Sequence, residues 1–212
     1  MKMQNILVIG AHFDDAELGC GGTMAKLAAE GKNVYKLTLT DNVTNFHQMN
    51  IHVDAESSTA DSAKACQEMG VTEITDFELL PCNQLTYTTE TMQKVEAIIF
   101  DKKIDTVFIH YDSDMNQDHI AASKICLTAA RHCRNIFYYQ SNGYVLDKPF
   151  YPTVFFDISD HYEAKKKALD HYRGDHNRFE RLFSMSLQRT EVWGYANKCA
   201  YAEGFVPVKL CL

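Results

Sequence analysis

The stretch Ala11-His12-Phe13-Asp14-Asp15-Ala16-Glu17-Leu18-Gly19 sets one imidazole and two carboxylates at a point where a strand hands over to a helix. Before it runs Ile6-Leu7-Val8-Ile9-Gly10, an apolar run of the kind that forms a fully buried strand. After it comes Thr23-Met24-Ala25-Lys26-Leu27-Ala28-Ala29-Glu30, a run of strong helix formers closed by Gly31. Open α/β sheets bind ligands at the carboxyl ends of their strands, and this cluster falls at such an end. A metal site is the first reading, and it still lacks a third ligand. Asp14 and Asp15 equally suit the ordinary work of capping a helix and facing its positive end.

Strand and helix patterns alternate through most of the chain. Strands are expected over 34–40, 74–80, 105–110, 135–139 and 153–158, and helices over 14–30, 60–69, 90–101, 120–131 and 179–196. Asp160-His161-Tyr162-Glu163 has capping-box spacing and opens a further helix through His171. Residues 44–58 have no clean period and read as a long loop, and the tail after Tyr201 carries no obvious chemistry. The alternation predicts an α/β, Rossmann-like three-layer domain, a mainly parallel sheet with helices on both faces. Gly19, Gly21 and Gly22 fall inside the first helix. They suit close packing of that helix on the sheet better than a phosphate loop, because the third glycine of a GxGxxG fingerprint is missing.

Composition removes several function classes. A length of 212 residues predicts one domain, 1–212, with a sizeable core. A net charge of -7 argues against nucleic acid or an anionic membrane as the main partner. No apolar run approaches the roughly 20 residues that span a bilayer, and no leader pattern opens the chain, so a cytoplasmic location is expected. The seven cysteines include no CxxC pair and are expected to be reduced, mostly buried thiols.

A second stretch repeats the architecture of the first. The strand ending at His110 runs into Tyr111-Asp112-Ser113-Asp114-Met115-Asn116-Gln117-Asp118-His119, followed by a helix. In a parallel sheet both loops emerge on one edge, so His12, Asp15 and His119 form a two-His, one-carboxylate set. Catalytic zinc sites have three such ligands and an open position for water, whose pKa falls to roughly 7; the set also suits Fe(II). Asp14 is then free to take a proton, and Asp118 can orient an imidazole. Asn116 can donate to a developing oxyanion, a role worth about 3 kcal/mol in hydrolases. His110 is near enough in sequence to reach the site. His47, His52, His132, His161, His171 and His176 read as surface or structural.

The pair AHFDDAELGCGG and HYDSDMNQDH resembles the zinc-dependent deacetylases of the PIG-L/LmbE group, with their AHPDD-type and HPDH- or HQDH-type motifs. The resemblance extends through most of the chain, including Tyr201-Ala202-Glu203-Gly204-Phe205. It implies a Rossmann-like domain, one zinc ion and hydrolysis of an N-acetyl group from an amino sugar or its conjugate. His12, Asp15 and His119 match the family's zinc ligands, Asp14 its general base, and Asp118 the acidic residue beside the last ligand. Phe13 stands where the family usually has proline, Asn116 where many members have histidine, and residues 44–58 lack the arginine many members use for substrate.

The expectation is therefore a metal-dependent deacetylase of a small N-acetylated amino sugar: a glycoside, nucleotide sugar or glycoconjugate precursor. Asp114, Asn42 and the 44–58 loop are the candidate substrate contacts, and a homo-oligomer is left open. An amidase on a non-sugar amide is one alternative. A non-catalytic binding protein with a degenerate metal site, which Asn116 would suit, is the other.

Overall fold

The computed structural model describes residues 3–49, 51–144, 146–172 and 178–211; His176 lies outside them. Strand β1 (Asn5–Gly10) leads into α1 (Asp15–Ala29), and β2 (Asn33–Thr38) follows. A hairpin, β3 (Thr44–Phe46) and β4 (Ile51–Val53), precedes α2 (Ala55–Met69) and the short β5 (Thr72–Glu73). Then come α3 (Thr89–Asp101), β6 (Thr106–His110), α4 (Gln117–Ala129) and β7 (Asn135–Tyr139). The chain ends with β8 (Val154–Asp157), α5 (Tyr162–Asp170), α6 (Arg178–Ala196) and β9 (Ala202–Lys209).

The main sheet has seven strands in the order β5-β2-β1-β6-β7-β9-β8. β5, β2, β1, β6 and β7 are parallel; β9 runs antiparallel to both β7 and β8. Period-2 alternation sends Ile6 and Val8 of β1 to one core, under α1, α2 and α5, and Leu7 and Ile9 to the other, under α3 and α4. Strand order reverses at β1 and β6, so the crevice past their carboxyl ends is the topological switch point.

The α1 glycines mark close packing on the sheet. A Cβ at Gly19 would overlap the Tyr139 ring, and one at Gly22 would overlap Ile158. Capping also follows local chemistry: Asp54 accepts from Ser57 N–H at 2.8 Å at the start of α2, and Gly70 (φ 68°) closes it in the left-handed region.

Four expectations change. Residues 44–58 hold a hairpin and the first turn of α2, which Asp54 starts well before the apolar pattern does. The strand expected at 74–80 does not form: the pairing with β2 is made just before it, by Thr72–Glu73, and within it a single bridge joins Leu80 to Thr40. The predicted capping box does not form: Asp160 sits in a 3-10 turn, and the α5 N-cap, His161, makes no side-chain capping bond. The tail is not featureless either. It forms β9 and buries Glu203, whose carboxylate accepts from Gly22 N–H (3.1 Å), Thr23 N–H (2.7 Å) and Lys165 Nζ (2.6 Å).

Candidate metal centre

The turn between β1 and α1 is tied down at several of its polar backbone groups. Ala11 N–H donates to His110 Nε2 at 3.0 Å, and Ala11 O accepts from Thr40 N–H (3.0 Å) and Oγ1 (2.7 Å). His12 N–H donates to Asp15 Oδ2 at 2.7 Å. Asp14 occupies the N-cap position of α1, yet its side chain makes no capping bond. Its carboxylate lies on the wall of a cavity of about 190 Å³ instead.

The second loop is organised by Asn116. Its Oδ1 accepts from Asp118 N–H (2.9 Å) and His119 N–H (3.4 Å), so α4 begins at Gln117 and carries Asp118 and His119 in its first turn. Because Oδ1 must face those donors, the Asn116 amide nitrogen is left for the cavity that this residue also lines.

Hydrogen-bond accounting fixes which ring nitrogens are free. Asp118 Oδ2 accepts from His12 Nε2–H at 3.2 Å, and Asp114 Oδ2 accepts from His119 Nδ1–H at 3.0 Å. That leaves the lone pairs of His12 Nδ1 and His119 Nε2, only 3.2 Å apart. Asp15 completes the set, with Oδ2 3.4 Å from His12 Nδ1 and Oδ1 3.2 Å from His119 Nε2. Tetrahedral bonds of the usual Zn–N and Zn–O length separate ligands by about 3.3 Å, so the three groups fit such a cation. Among the described residues two other groups, His12–Cys82–Asp118 and His110–Asp114–His119, also have ligand atoms within 4.8 Å of one another. Each reuses a histidine of the first set, and in each the carboxylate faces a ring nitrogen that already donates to it.

Facing lone pairs beside a buried carboxylate demand positive charge. Burial alone would lower His119, but Asp15 and Asp114 raise it to about 9, so without a metal the cluster takes up a proton. His110 behaves oppositely. Burial and the neighbouring His119 push it down to about 4, and its ring stacks on His119 with centroids 4.0 Å apart. Asp14 is raised to about 6, by burial first and the Asp15 charge second. A carboxyl near neutrality can both accept and return a proton.

The expected site residues thus reach different places. His12, Asp14, Asp15, Asn116, His119 and Asn42 line the cavity, Asn42 with its Nδ2 committed to Ser58 Oγ at 3.0 Å. Asp118 orients His12 rather than its chain neighbour His119, and also accepts from Asn83 N–H (2.7 Å) and Leu85 N–H (3.2 Å). Asp114, expected at the substrate, is buried behind His119, where both its oxygens are used; it does not line the cavity. Asn142 is a site residue that sequence reasoning misses. It lines the cavity past β7, with Nδ2 3.3–3.4 Å from the Asp114 carboxylate. Its one sequence signal is position, since β7 ends on the same sheet edge as β1 and β6. Cys82 and Asn83 also line the wall and lie in a segment without period.

Comparison with known proteins identifies the class. Over 99% of this chain and 97% of the other, the fold matches the conserved protein TT1542 from Thermus thermophilus, with 26% identity and a TM-score of 0.81. It matches N,N'-diacetylchitobiose deacetylase from Pyrococcus horikoshii over 98% and 84%, with 20% identity and a TM-score of 0.80. The fold is therefore the Rossmann-like one of deacetylases of the LmbE/PIG-L type. Residues 7–130 match the PIG-L family, GlcNAc-PI de-N-acetylase, and the uncharacterized deacetylase YaiS of Escherichia coli K12 is 30% identical over 174 residues, 79% of this chain and 89% of its own. The chain belongs to the PIG-L family of metal-dependent deacetylases. Among the described residues no helix is long and apolar enough to cross a membrane.

Proposed function

We propose that this deacetylase is zinc-dependent and removes the acetyl group from a small N-acetylated amino sugar. The observation that carries the reading is the convergence of His12 Nδ1, Asp15 and His119 Nε2 at 3.2–3.4 Å on the wall of a cavity that Asp14 shares. Fe(II) suits the same donors, so the metal is part of the test. The sugar comes from P. horikoshii chitobiose deacetylase, which shares the fold.

In this reading His12, Asp15 and His119 would hold the metal, which would supply Lewis acidity and a water of lowered pKa. Asp14 takes the water's proton and returns it to the leaving amine. The Asn116 amide nitrogen donates to the oxyanion that develops on the acetamide oxygen. Asp118 and Asp114 keep His12 and His119 in the tautomers whose free nitrogens face inward. Asn42, with its Oδ1 free of the Ser58 bond, accepts from a sugar hydroxyl.

The test is acetate release by protein reconstituted with Zn²⁺ or Fe²⁺. Its panel holds N-acetylglucosamine, N,N'-diacetylchitobiose, a nucleotide-linked N-acetylhexosamine and simple acetamides. Turnover of a sugar substrate supports the reading. Turnover of simple amides alone moves the assignment to a non-sugar amidase. Metal content near zero after chelator-free purification points to a binding protein.

A further inference from the structure

Phe13 stands in the middle of the site turn, and its backbone is held from outside that turn. The Phe13 side chain is buried at 3% exposure in the core under α1 and α2. Its carbonyl, the one that precedes Asp14, is approached from outside the cavity by the Lys36 ammonium and by the Tyr172 hydroxyl, whose one hydrogen is shared between Phe13 O and Glu17 Oε1. Lys36, on β2 and 0% exposed, donates from Nζ to Phe13 O at 2.6 Å. The Tyr172 hydroxyl, just past α5, stands 3.0 Å from the same oxygen.

These donors are themselves held. Lys36 Nζ also donates to Glu17 Oε1 (2.6 Å) and Ser62 Oγ (2.8 Å), and Ser62 passes the chain on to Glu73. Tyr172 OH lies 3.0 Å from both Lys36 Nζ and Glu17 Oε1. The cluster therefore joins α1, β2, α2 and the end of α5 around one backbone carbonyl. A buried ion pair is a weak stabiliser, since well-packed apolar residues often do as well or better. What apolar residues lack is a hydrogen to give Phe13 O.

We propose that Lys36 and Tyr172 are positioning residues: by holding the Phe13 carbonyl they set the Phe13–Asp14 peptide plane, and so where the Asp14 and Asp15 carboxylates stand. The inference rests on the site reading above. It gives a turn without proline a source of stiffness, since donors from outside hold the peptide that no ring constrains from within.

Two variants test it. Tyr172→Phe deletes one hydroxyl and leaves the Lys36–Glu17 pair intact. The double variant Glu17→Gln with Lys36→Met removes both buried charges together, so neither is left unpaired. Zinc is titrated into metal-free protein against a chromophoric chelator, and kcat, KM and Tm are measured on the zinc-loaded forms. In both variants we expect the zinc dissociation constant to rise about 10-fold or more, as for other residues that orient ligands. We also expect kcat to fall while KM stays within about twofold, because the sugar-binding wall is untouched. Wild-type zinc affinity in both variants, with only Tm lowered, overturns the proposal. Should the wild type release no acetate, the deacetylation reading fails on its own, while the zinc constants still decide this one.

Discussion

Asp118 Oδ2 stands 3.2 Å from His12 Nε2, although the two residues lie 106 positions apart, and Asp118 is fully buried. The carboxylate beside one candidate ligand thus serves the other. His119, its neighbour in sequence, is oriented by Asp114 at 3.0 Å. The crossing means that His12 is aimed by a carboxylate of the first turn of α4 and His119 by one of the loop before it, so α4 and the turn after β1 must be in register for either to face the metal position.

Asp118→Asn should therefore weaken metal binding by roughly 10- to 100-fold without abolishing it, since the amide can still take one backbone hydrogen bond. Chelator competition on metal-free protein measures this. Undiminished affinity would mean that His12 needs no such orientation.

Asp14→Asn separates binding from chemistry. The variant should keep its metal, measured by elemental analysis, while turnover falls by about 10²- to 10⁴-fold, the usual contribution of a positioned acid–base group. Comparable turnover would remove Asp14 from the proposed mechanism.

Asn116 has two separable functions, the cap of α4 and the donor at the cavity. Asn116→Asp keeps a capping oxygen and loses the N–H donor, so Tm should change little while kcat drops about 10²-fold. Asn116→Ala should lose the cap as well, at a cost of about 1 kcal/mol in denaturant unfolding. If the aspartate variant keeps full kcat, the amide does not serve the oxyanion.

Glu203→Ala should be the most destabilising of these changes. It would leave Lys165, 1% exposed, without its 2.6 Å partner, and take the carboxylate acceptor from the N–H groups of Gly22 and Thr23. Breaking a buried pair in this way costs about 3–5 kcal/mol. A drop in denaturation free energy below about 1 kcal/mol would show that water or another group replaces the carboxylate.

What the sequence determined by itself is local or periodic. The apolar run of β1, the alternation of strands and helices, and the two acidic loops after β1 and β6 are all written in neighbouring residues, because hydrophobic period and strand-end chemistry act over a few positions. A parallel sheet then obliges those two loops to share an edge, which is why His12, Asp15 and His119 can be grouped without coordinates. Tertiary structure alone decided who bonds to whom. Asp114 sits where the sequence suggests a substrate contact and is instead the buried partner of His119. A carboxylate's role depends on which ring nitrogen lies within about 3 Å, and spacing along the chain does not encode that. The same holds for Asn142, for Lys36 and Tyr172 on the Phe13 carbonyl, and for Glu203 in the tail. Each is a single polar residue whose partner lies on another element, and only the packing of those elements brings the two together.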